Sequence, residues 1–248
     1  MKFAVLTIAF NEEDYIGAHI KNWAGLIDKH LVLLSSFPYD KKERPRDRTG
    51  DIARQLGAQV IERYWITETE QRNFGLAYLY DYDYVFIIDP DEFFLRSDIE
   101  LMIKHIEAEG KDRWMGHIVK ETKQYWKNTD TVAKPQDSNP YKHKNIYGLD
   151  PKQTYFGTVR IPYPADEVGP HIRNRGIFPV TCYHLSWVRT RSKIKEKLET
   201  FCHAIPDAEQ WCKDNWDDWQ LGQLINAFHF INARPEHDPL PQEIRQLL

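Results

Sequence analysis

Four short apolar runs alternate with stretches of helical spacing through the first 110 residues, and that alternation restricts the fold more than any other feature of the chain. Phe3 to Phe10 is almost continuously apolar. Asn11-Glu12-Glu13-Asp14 follows, with Asn11 as a helix N-cap and acids for a first turn, and then Tyr15, Ile16, His19, Ile20, Trp23 and Ile27 at the spacing of an amphipathic helix. His30 to Ser35 reads as a second strand, Asp51 to Leu56 as a helix ending before Gly57, and Ala58 to Ile61 as a third strand. Glu70 to Tyr80 is helical in pattern and leads into the fourth run at Tyr84; Ser97 to Glu109 is another helix, capped by Ser97 and stopped by Gly110. Strands alternating with helices predict βαβ units, hence an α/β fold with a mostly parallel central sheet flanked by helices.

Beyond residue 110 the pattern changes. Trp114 to Trp126 reads as one or two strands, Asn128 to Leu149 is polar and proline-bearing and reads as loop, and Phe156 to Ile161 and Ile177 to Leu185 read as strands. Pro162 to His171 is expected to be irregular, because prolines cannot join a central ladder. Thr190 to His203 and Asp207 to Ile231 look helical, and the tail after Pro235 reads as a surface extension with a short final helix.

The size of the chain, 248 residues with 42% hydrophobic, allows one large domain over 1–248 with a sizeable core. A formal charge of -4 and a pI near 6.2 argue against a general electrostatic grip on nucleic acid or anionic membrane. Cys182, Cys202 and Cys212 are an odd number without Cys-x-x-Cys spacing, which fits neither a disulfide framework nor a thiolate zinc site and points to a reducing compartment. The amino-terminal apolar run is too short for a membrane span and lacks a small-residue cleavage site, so it reads as a first strand; with no long apolar stretch elsewhere, a cytoplasmic location without a transmembrane segment is the expectation.

The fourth run is Tyr84-Val-Phe-Ile-Ile-Asp-Pro-Asp-Glu-Phe-Phe, an apolar strand ending in Asp89, Asp91 and Glu92. Carboxylates there sit on the edge where open α/β sheets bind ligands. Clustered carboxylates repel one another unless a cation or a hydrogen-bond network compensates, so Asp-x-Asp at a strand end suggests a hard divalent ion and, beside it, a phosphate. The plain alternative is a solvated turn that caps the next helix.

Taken in chain order, four segments resemble the family 2 glycosyltransferases and their relatives, whose nucleotide-sugar-binding fold is called GT-A. Thr7 to Glu13 is similar to the family's opening strand and loop, Asp47-Arg-Thr49 with the helix and strand that follow is similar to its Asp-x-Thr segment, Arg72-Asn73-Phe-Gly75 to its Arg-Asn-x-Gly helix start, and Asp89-Pro-Asp91 to its Asp-x-Asp motif. The resemblance covers the first 110 residues. It implies a nucleotide-sugar-binding half over 1–110, an acceptor half over 111–189 and C-terminal helices over 190–248. The family's acidic residue after the second strand, which reads the base, is replaced here by Ser35-Ser36-Phe37, so the base is left open.

The resemblance also implies roles. Thr7, Asn11, Glu13, Asp47, Arg72, Asn73 and Asp89 would line the donor site, Asp89 at the ribose or at the metal shell through water. Asp91 would ligate the metal directly, and His184, within a His-x-x-Trp-Val-Arg segment at the end of a late strand, would complete the shell. Imidazole beside carboxylates favours Mn²⁺ over Mg²⁺. Arg72 has the planar fork that suits phosphate or the base edge. Arg189 or Arg191 is a further diphosphate contact, whereas Lys193, Lys195 and Lys197 are spaced by two, do not share one helix face and read as mostly solvated. For an inverting transfer, a carboxylate must take the acceptor's proton; Asp166 and Glu167 are the candidates, with Asp150 and Glu121 as alternatives. Trp126, Tyr155, Phe156, Tyr163, Trp211, Trp216 and Trp219 either stack on acceptor sugar rings or fill the core.

The expectation is thus a metal-dependent glycosyltransferase of hexosyl type, moving a sugar from a nucleotide-diphospho-sugar donor to a carbohydrate or other hydroxyl acceptor. Two alternatives stay open. One is a catalytically silent nucleotide- or carbohydrate-binding protein of the same fold. The other is a nucleotidyltransferase, which normally has a Gly-rich first loop where this chain has Phe10-Asn11-Glu12-Glu13.

Overall fold

The computed structural model describes residues 1–39, 42–110, 116–134, 147–152, 154–158, 161–164, 175–200, 205, 207–227 and 230–248, with only the backbone of 154–158, 161–164, 175, 226–227 and 230–232. β1 (Phe3–Ala9), β2 (Lys29–Ser35), β3 (Gln59–Arg63) and β4 (Tyr84–Ile87) are parallel and lie in the order β3-β2-β1-β4. Ala4 to Ala9 of β1 run opposite Lys29 to Leu34 of β2, and Phe3 to Leu6 opposite Tyr84 to Ile87 of β4.

Period-two alternation divides the strand side chains between two cores. Ala4, Leu6, Leu31, Leu33, Val85 and Ile87 pack with Leu76 and Leu79 at the end of α3 (Glu68–Tyr78). The alternate positions Val5, Tyr84 and Phe86 pack with Trp23 of α1 (Glu13–Trp23) and with Ile99, Met102 and Ile106 of α4 (Arg96–Glu109). Ala9, Val32 and Leu34 pack with Ile16 and Ile20 of α1 and Ala53 of α2 (Thr49–Gln55). Helices therefore cover both faces, as the strand pattern requires. Gly110 ends α4 at φ 58°. Ser97 lies inside the first turn of α4, and Leu95 stands at the N-cap in its place.

β5 (Glu92–Phe93) follows β4 directly, and β6 (Gly116–Trp126), β7 (Thr131–Lys134) and β8 (Gly148–Leu149) extend the sheet beyond it. β8 is antiparallel to both β4 and β6. The stretch 128–149, expected as loop, thus contributes two strands; both are short and complete ladders offered by longer neighbours, which no local pattern announces. β9 (Thr154–Thr158) and β10 (Ile161–Pro164) form a separate two-stranded ribbon, so Pro162 to Pro164, expected as irregular, are a strand outside any central ladder, and 165–171 lie outside the described residues. β11 (Arg175–Trp187) is parallel to β6 and, at Tyr183 and His184, antiparallel to β5.

The region from 190 onward is only partly helical. α5 (Arg191–Thr200) is present, but the helix expected over 207–231 shrinks to α6 (Ala208–Cys212) and a π-helical turn, Lys213–Asp217. Beyond it lie β12 (Ile225–Ala227) and β13 (Phe230–His237), the latter paired with β7. Gly222 at φ 100° breaks the helical path, and the short apolar runs after it fit either period. α7 (Gln242–Arg245) is the short final helix. Trp126, Trp187, Trp216 and Ile225 share one buried cluster, so Trp126 and Trp216 fill the core. Cys182 and Cys212 are buried. Among the described residues, no helix is long and apolar enough to cross a membrane.

Candidate active site

The carboxyl ends of β1 and β4 border a cleft of about 210 Å³. It opens where the strand order reverses, because the connection from β1 leads to β2 on one side while β4 lies on the other; such switch points leave a crevice for ligands. The end of β1 supplies Ile8 to Glu12, the segment after β4 supplies Asp89, Pro90 and Asp91, α3 supplies Glu68 and Arg72, and the end of β11 with α5 supplies Arg189, Lys193, Glu196 and Lys197.

Asp91 is the hub. Its Oδ1 lies 3.2 Å from His184 Nε2, and its Oδ2 accepts from Lys197 Nζ at 2.9 Å and from Arg189 at 3.1 Å. The strand pairing explains how a histidine 93 positions later in the chain reaches this corner: His184 stands opposite Glu92 in the β11–β5 ladder, and Leu185 N donates to Asp91 O at 2.8 Å. Burial alone would raise the Asp91 pKa, but Lys197, His184 and Arg189 hold it well below the ordinary carboxylate value. Asp91 is therefore an anion at neutral pH.

Asp89 is more open. Arg72 donates to its Oδ1 at 3.0 Å and to Glu68 Oε1 at 2.9 Å through Nε, while Glu92 folds back to accept from Asp89 N at 2.8 Å. Gly75, one turn beyond Arg72, is required by packing, since a Cβ there would lie 2.5 Å from Leu6 Cδ1 and 3.0 Å from Leu33 Cδ1. The Arg-Asn-x-Gly segment thus combines a cleft cation with the close approach that places it.

On the opposite wall, Arg189 donates to Glu12 at 2.6 Å and stacks over Tyr15 with its guanidinium carbon 4.6 Å from the ring centroid. Burial raises the Glu12 pKa against the pull of Arg189. Burial would lower the pKa of Arg189, yet Glu12 and Asp91 raise it. Asn11 adopts φ 52°, a left-handed conformation that asparagine tolerates better than most residues. It does not cap α1, whose N-cap is Glu12. Its side-chain nitrogen Nδ2 instead donates to Pro45 O at 2.9 Å and to Glu196 Oε1 at 2.6 Å, and its backbone carbonyl accepts from Lys193 Nζ at 3.3 Å, which ties β1 to α5.

A profile of the family described as Glycosyl transferase family 2 matches residues 4–161. The chain belongs to that family. Its mostly parallel sheet with helices on both faces is the GT-A architecture. Among solved structures, the chain is similar to S. aureus TarS, at 13% identity and TM-score 0.47, with 82% of this chain and 40% of that chain covered, and to glucosyl-3-phosphoglycerate synthase from Mycobacterium tuberculosis in complex with Mn²⁺, UDP and glucosyl-3-phosphoglycerate, at 14% identity and TM-score 0.47, with 97% and 88% covered. The chain thus spans less than half the length of the TarS chain. No curated protein matches it in sequence.

This member of glycosyl transferase family 2 lines the cleft with Asn11, Arg72, Asp89, Asp91 and Arg189, and His184 reaches it through its contact with Asp91. Thr7 stands apart. Fully buried, its hydroxyl is held between His19 Nε2 at 2.9 Å and His30 Nε2 at 3.1 Å, inside the layer between β1, β2 and α1. Glu13 and Asp47 brace the loop behind the cleft: Asp47 accepts from Glu13 N at 3.0 Å and Thr49 N at 2.9 Å, and Lys193 Nζ lies 3.4 Å from it. Asn73 is half-buried on α3 and is not among the residues lining the cleft. Asp166 and Glu167 lie outside the described residues, and so do the side chains of Tyr155, Phe156 and Tyr163.

Charged groups of the cleft that the sequence reading does not assign to a ligand include Glu12, Glu68, Lys193, Glu196 and Lys197. The signal for the lysines was present, because 193 and 197 are four apart and share a helix face even though neighbours spaced by two do not. Lys195 turns away to Glu209, 3.1 Å from Oε2, and Arg191 binds Glu209 and Asp217 outside the cleft.

Proposed function

We propose that the protein is a divalent-metal-dependent, inverting glycosyltransferase that moves a hexosyl group from a nucleotide-diphospho-sugar to a hydroxyl of a carbohydrate or other acceptor. The observation that carries this reading is the 3.2 Å contact of His184 with Asp91, a residue that lines the cleft together with Arg72, Arg189, Lys193 and Lys197. A carboxylate oxygen and an imidazole nitrogen at that separation suit a common ion, and the mixed O,N donor set favours Mn²⁺ over Mg²⁺. Asp91 Oδ1 and His184 Nε2 would hold the metal, with Asp89 beside them. When bound, the ion supplies positive charge next to the leaving diphosphate.

The chain's own cations share that task. Lys197 and Arg189 meet on Asp91 Oδ2 and are placed to turn part of their donor capacity toward phosphate oxygens, where negative charge develops as the bond to the anomeric carbon breaks. Arg72, braced by Glu68, orients Asp89 for the ribose or the metal shell. Asn11 sits at the donor end of β1, and Glu13, Asp47 and Asn73 support that wall from behind; Thr7 acts from the core beneath it. The acceptor hydroxyl attacks the anomeric carbon opposite the diphosphate and gives its proton to a carboxylate, assigned to Asp166 or Glu167.

The test is turnover of a panel of UDP-, GDP- and dTDP-sugars with Mn²⁺, read as release of nucleoside diphosphate. Wild type is expected to release it from at least one donor, and Asp91→Asn about a hundredfold more slowly, the scale of losing one group that stabilises developing charge. Release at the same rate from both proteins contradicts the assignment. Tight donor binding without release in any acceptor screen favours a silent binding protein instead.

A further inference from the structure

At the opposite edge of the sheet from the cleft, beside the first residue of β4, three metal-binding side chains converge that the transfer reaction does not use. His105 and Glu109 are one turn apart on α4 and share a face, and His117 is the second residue of β6. Their ligand atoms all lie within 4.8 Å of one another. His105 Nε2 is 3.1 Å from Glu109 Oε1, and His117 Nε2 is 3.1 Å from Glu109 Oε2 and 3.2 Å from Oε1.

We propose that His105, Glu109 and His117 form a zinc site that fastens the last turn of α4 to the start of β6. Two imidazole nitrogens and one carboxylate oxygen are a donor set that Zn²⁺ accepts, with water in the fourth position. The partial exposure of His105, 35% of its side chain, leaves that position open to solvent.

Two features of the surroundings point to an ion. First, Glu109 Oε2 is buried and has no well-formed hydrogen bond among the described residues, because the donor beside it, His117 Nε2 at 3.1 Å, is shared with Oε1. A buried carboxylate oxygen left with only a share of one donor is costly, and a cation between the three groups removes that cost. Second, the His117 ring is held as metal-ligating histidines are held. Its Nδ1 lies 2.7 Å from the Tyr84 hydroxyl, and its ring stacks on Phe178 with centroids 4.4 Å apart and planes 10° apart. His105 is packed edge-on against the same two rings. Without an ion, the Nε2–H tautomer of His117 satisfies both neighbours, since Nδ1 then accepts from the Tyr84 hydroxyl and Nε2 donates its proton to Glu109. On binding, that proton resides on Nδ1 and is donated to the Tyr84 oxygen, which frees the Nε2 lone pair for the metal.

The site is tested by titrating Zn²⁺ in competition with a chromophoric chelator, for wild type, His105→Ala and Glu109→Gln. Each protein is also measured in the Asp91→Asn background, so that an ion held in the cleft is not counted. In the Asp91→Asn background one equivalent is expected to bind, and its affinity to fall at least tenfold when His105→Ala or Glu109→Gln is added. His105→Ala exchanges a partly exposed helix residue for a good helix former, and Glu109→Gln keeps the volume, so far-ultraviolet circular dichroism should report both as folded. Co²⁺ in the same site should give the intense visible bands of a four-coordinate ion. Zn²⁺ affinity unchanged in both variants, no binding by wild type, or the weak spectrum of six-coordinate Co²⁺ would each overturn the proposal.

Discussion

Lys193 and Lys197 leave the same face of α5 and enter the cleft, whereas Lys195 between them pairs with Glu209. Lys197 bridges Asp91 Oδ2 at 2.9 Å and Ser186 Oγ at 2.5 Å, so its ammonium is positioned before any ligand arrives. A preset cation loses little freedom when a diphosphate binds. Charge-assisted hydrogen bonds are worth about 1.5–3 kcal/mol, so Lys197→Met, which keeps the apolar stem, is expected to weaken nucleoside diphosphate binding about 10- to 100-fold in titration calorimetry. Unchanged affinity would place Lys197 in a purely structural role. Asp91 was legible in the sequence because three carboxylates at a strand end need an explanation. Lys197 was hidden because its partners lie 106 and 11 residues away, and only the packing of α5 beneath the β1 loop makes it part of the cleft.

At the scale of the element, α3 is held close to β1 and β2 by the absence of a side chain at Gly75. Gly75→Ala must push aside Leu6 and Leu33, at about 1–3 kcal/mol, and it moves Arg72 with the helix. Chemical denaturation should show the lower midpoint, and donor binding should weaken with it; full stability in Gly75→Ala would mean that the helix has room to shift. The layer between β1, β2 and α1 carries a pH dependence of its own. Burial pushes the His19 pKa from 6.5 down to about 4 and, with the nearby charge of His19, holds that of His30 well below 6.5. Both rings are therefore neutral when folded, while the unfolded chain takes up their protons as pH falls below 6.5. The stability they contribute is complete above that value and is lost as pH falls toward about 4, on the order of 3 kcal/mol for His19 alone. Urea midpoints measured between pH 7.5 and 4.5 should decline over that window, and His19→Gln should flatten the decline. An equally steep decline in the variant would assign it to other groups. Thr7 belongs to this layer, which explains why a residue in the opening motif touches no ligand surface: in a strand buried on both faces, every second side chain points away from the site.

For the whole molecule, the parallel half was readable because each of its strands is a continuous apolar run followed by a helix, and four motifs in chain order fixed where the cleft would open. The second half was not readable to the same degree. β7 and β8 are completed by neighbours distant in sequence, and β13 reaches β7 across about 100 residues, from Arg234 opposite Lys134 to His237 opposite Thr131. The same long-range assembly delivers His184 to Asp91 through the β11–β5 ladder, so the candidate metal pair exists only when both halves have folded together. The account as a whole depends on that pair holding a cation against a diphosphate. The most direct measurement is calorimetric titration of a nucleoside diphosphate, chosen from the UDP, GDP and dTDP series, into wild type and Asp91→Asn, each with Mn²⁺ and with a chelator. The account predicts that Mn²⁺ tightens binding to wild type at least tenfold, the scale on which metal-site groups act, and leaves Asp91→Asn unchanged. Equal affinities in all four titrations would contradict it.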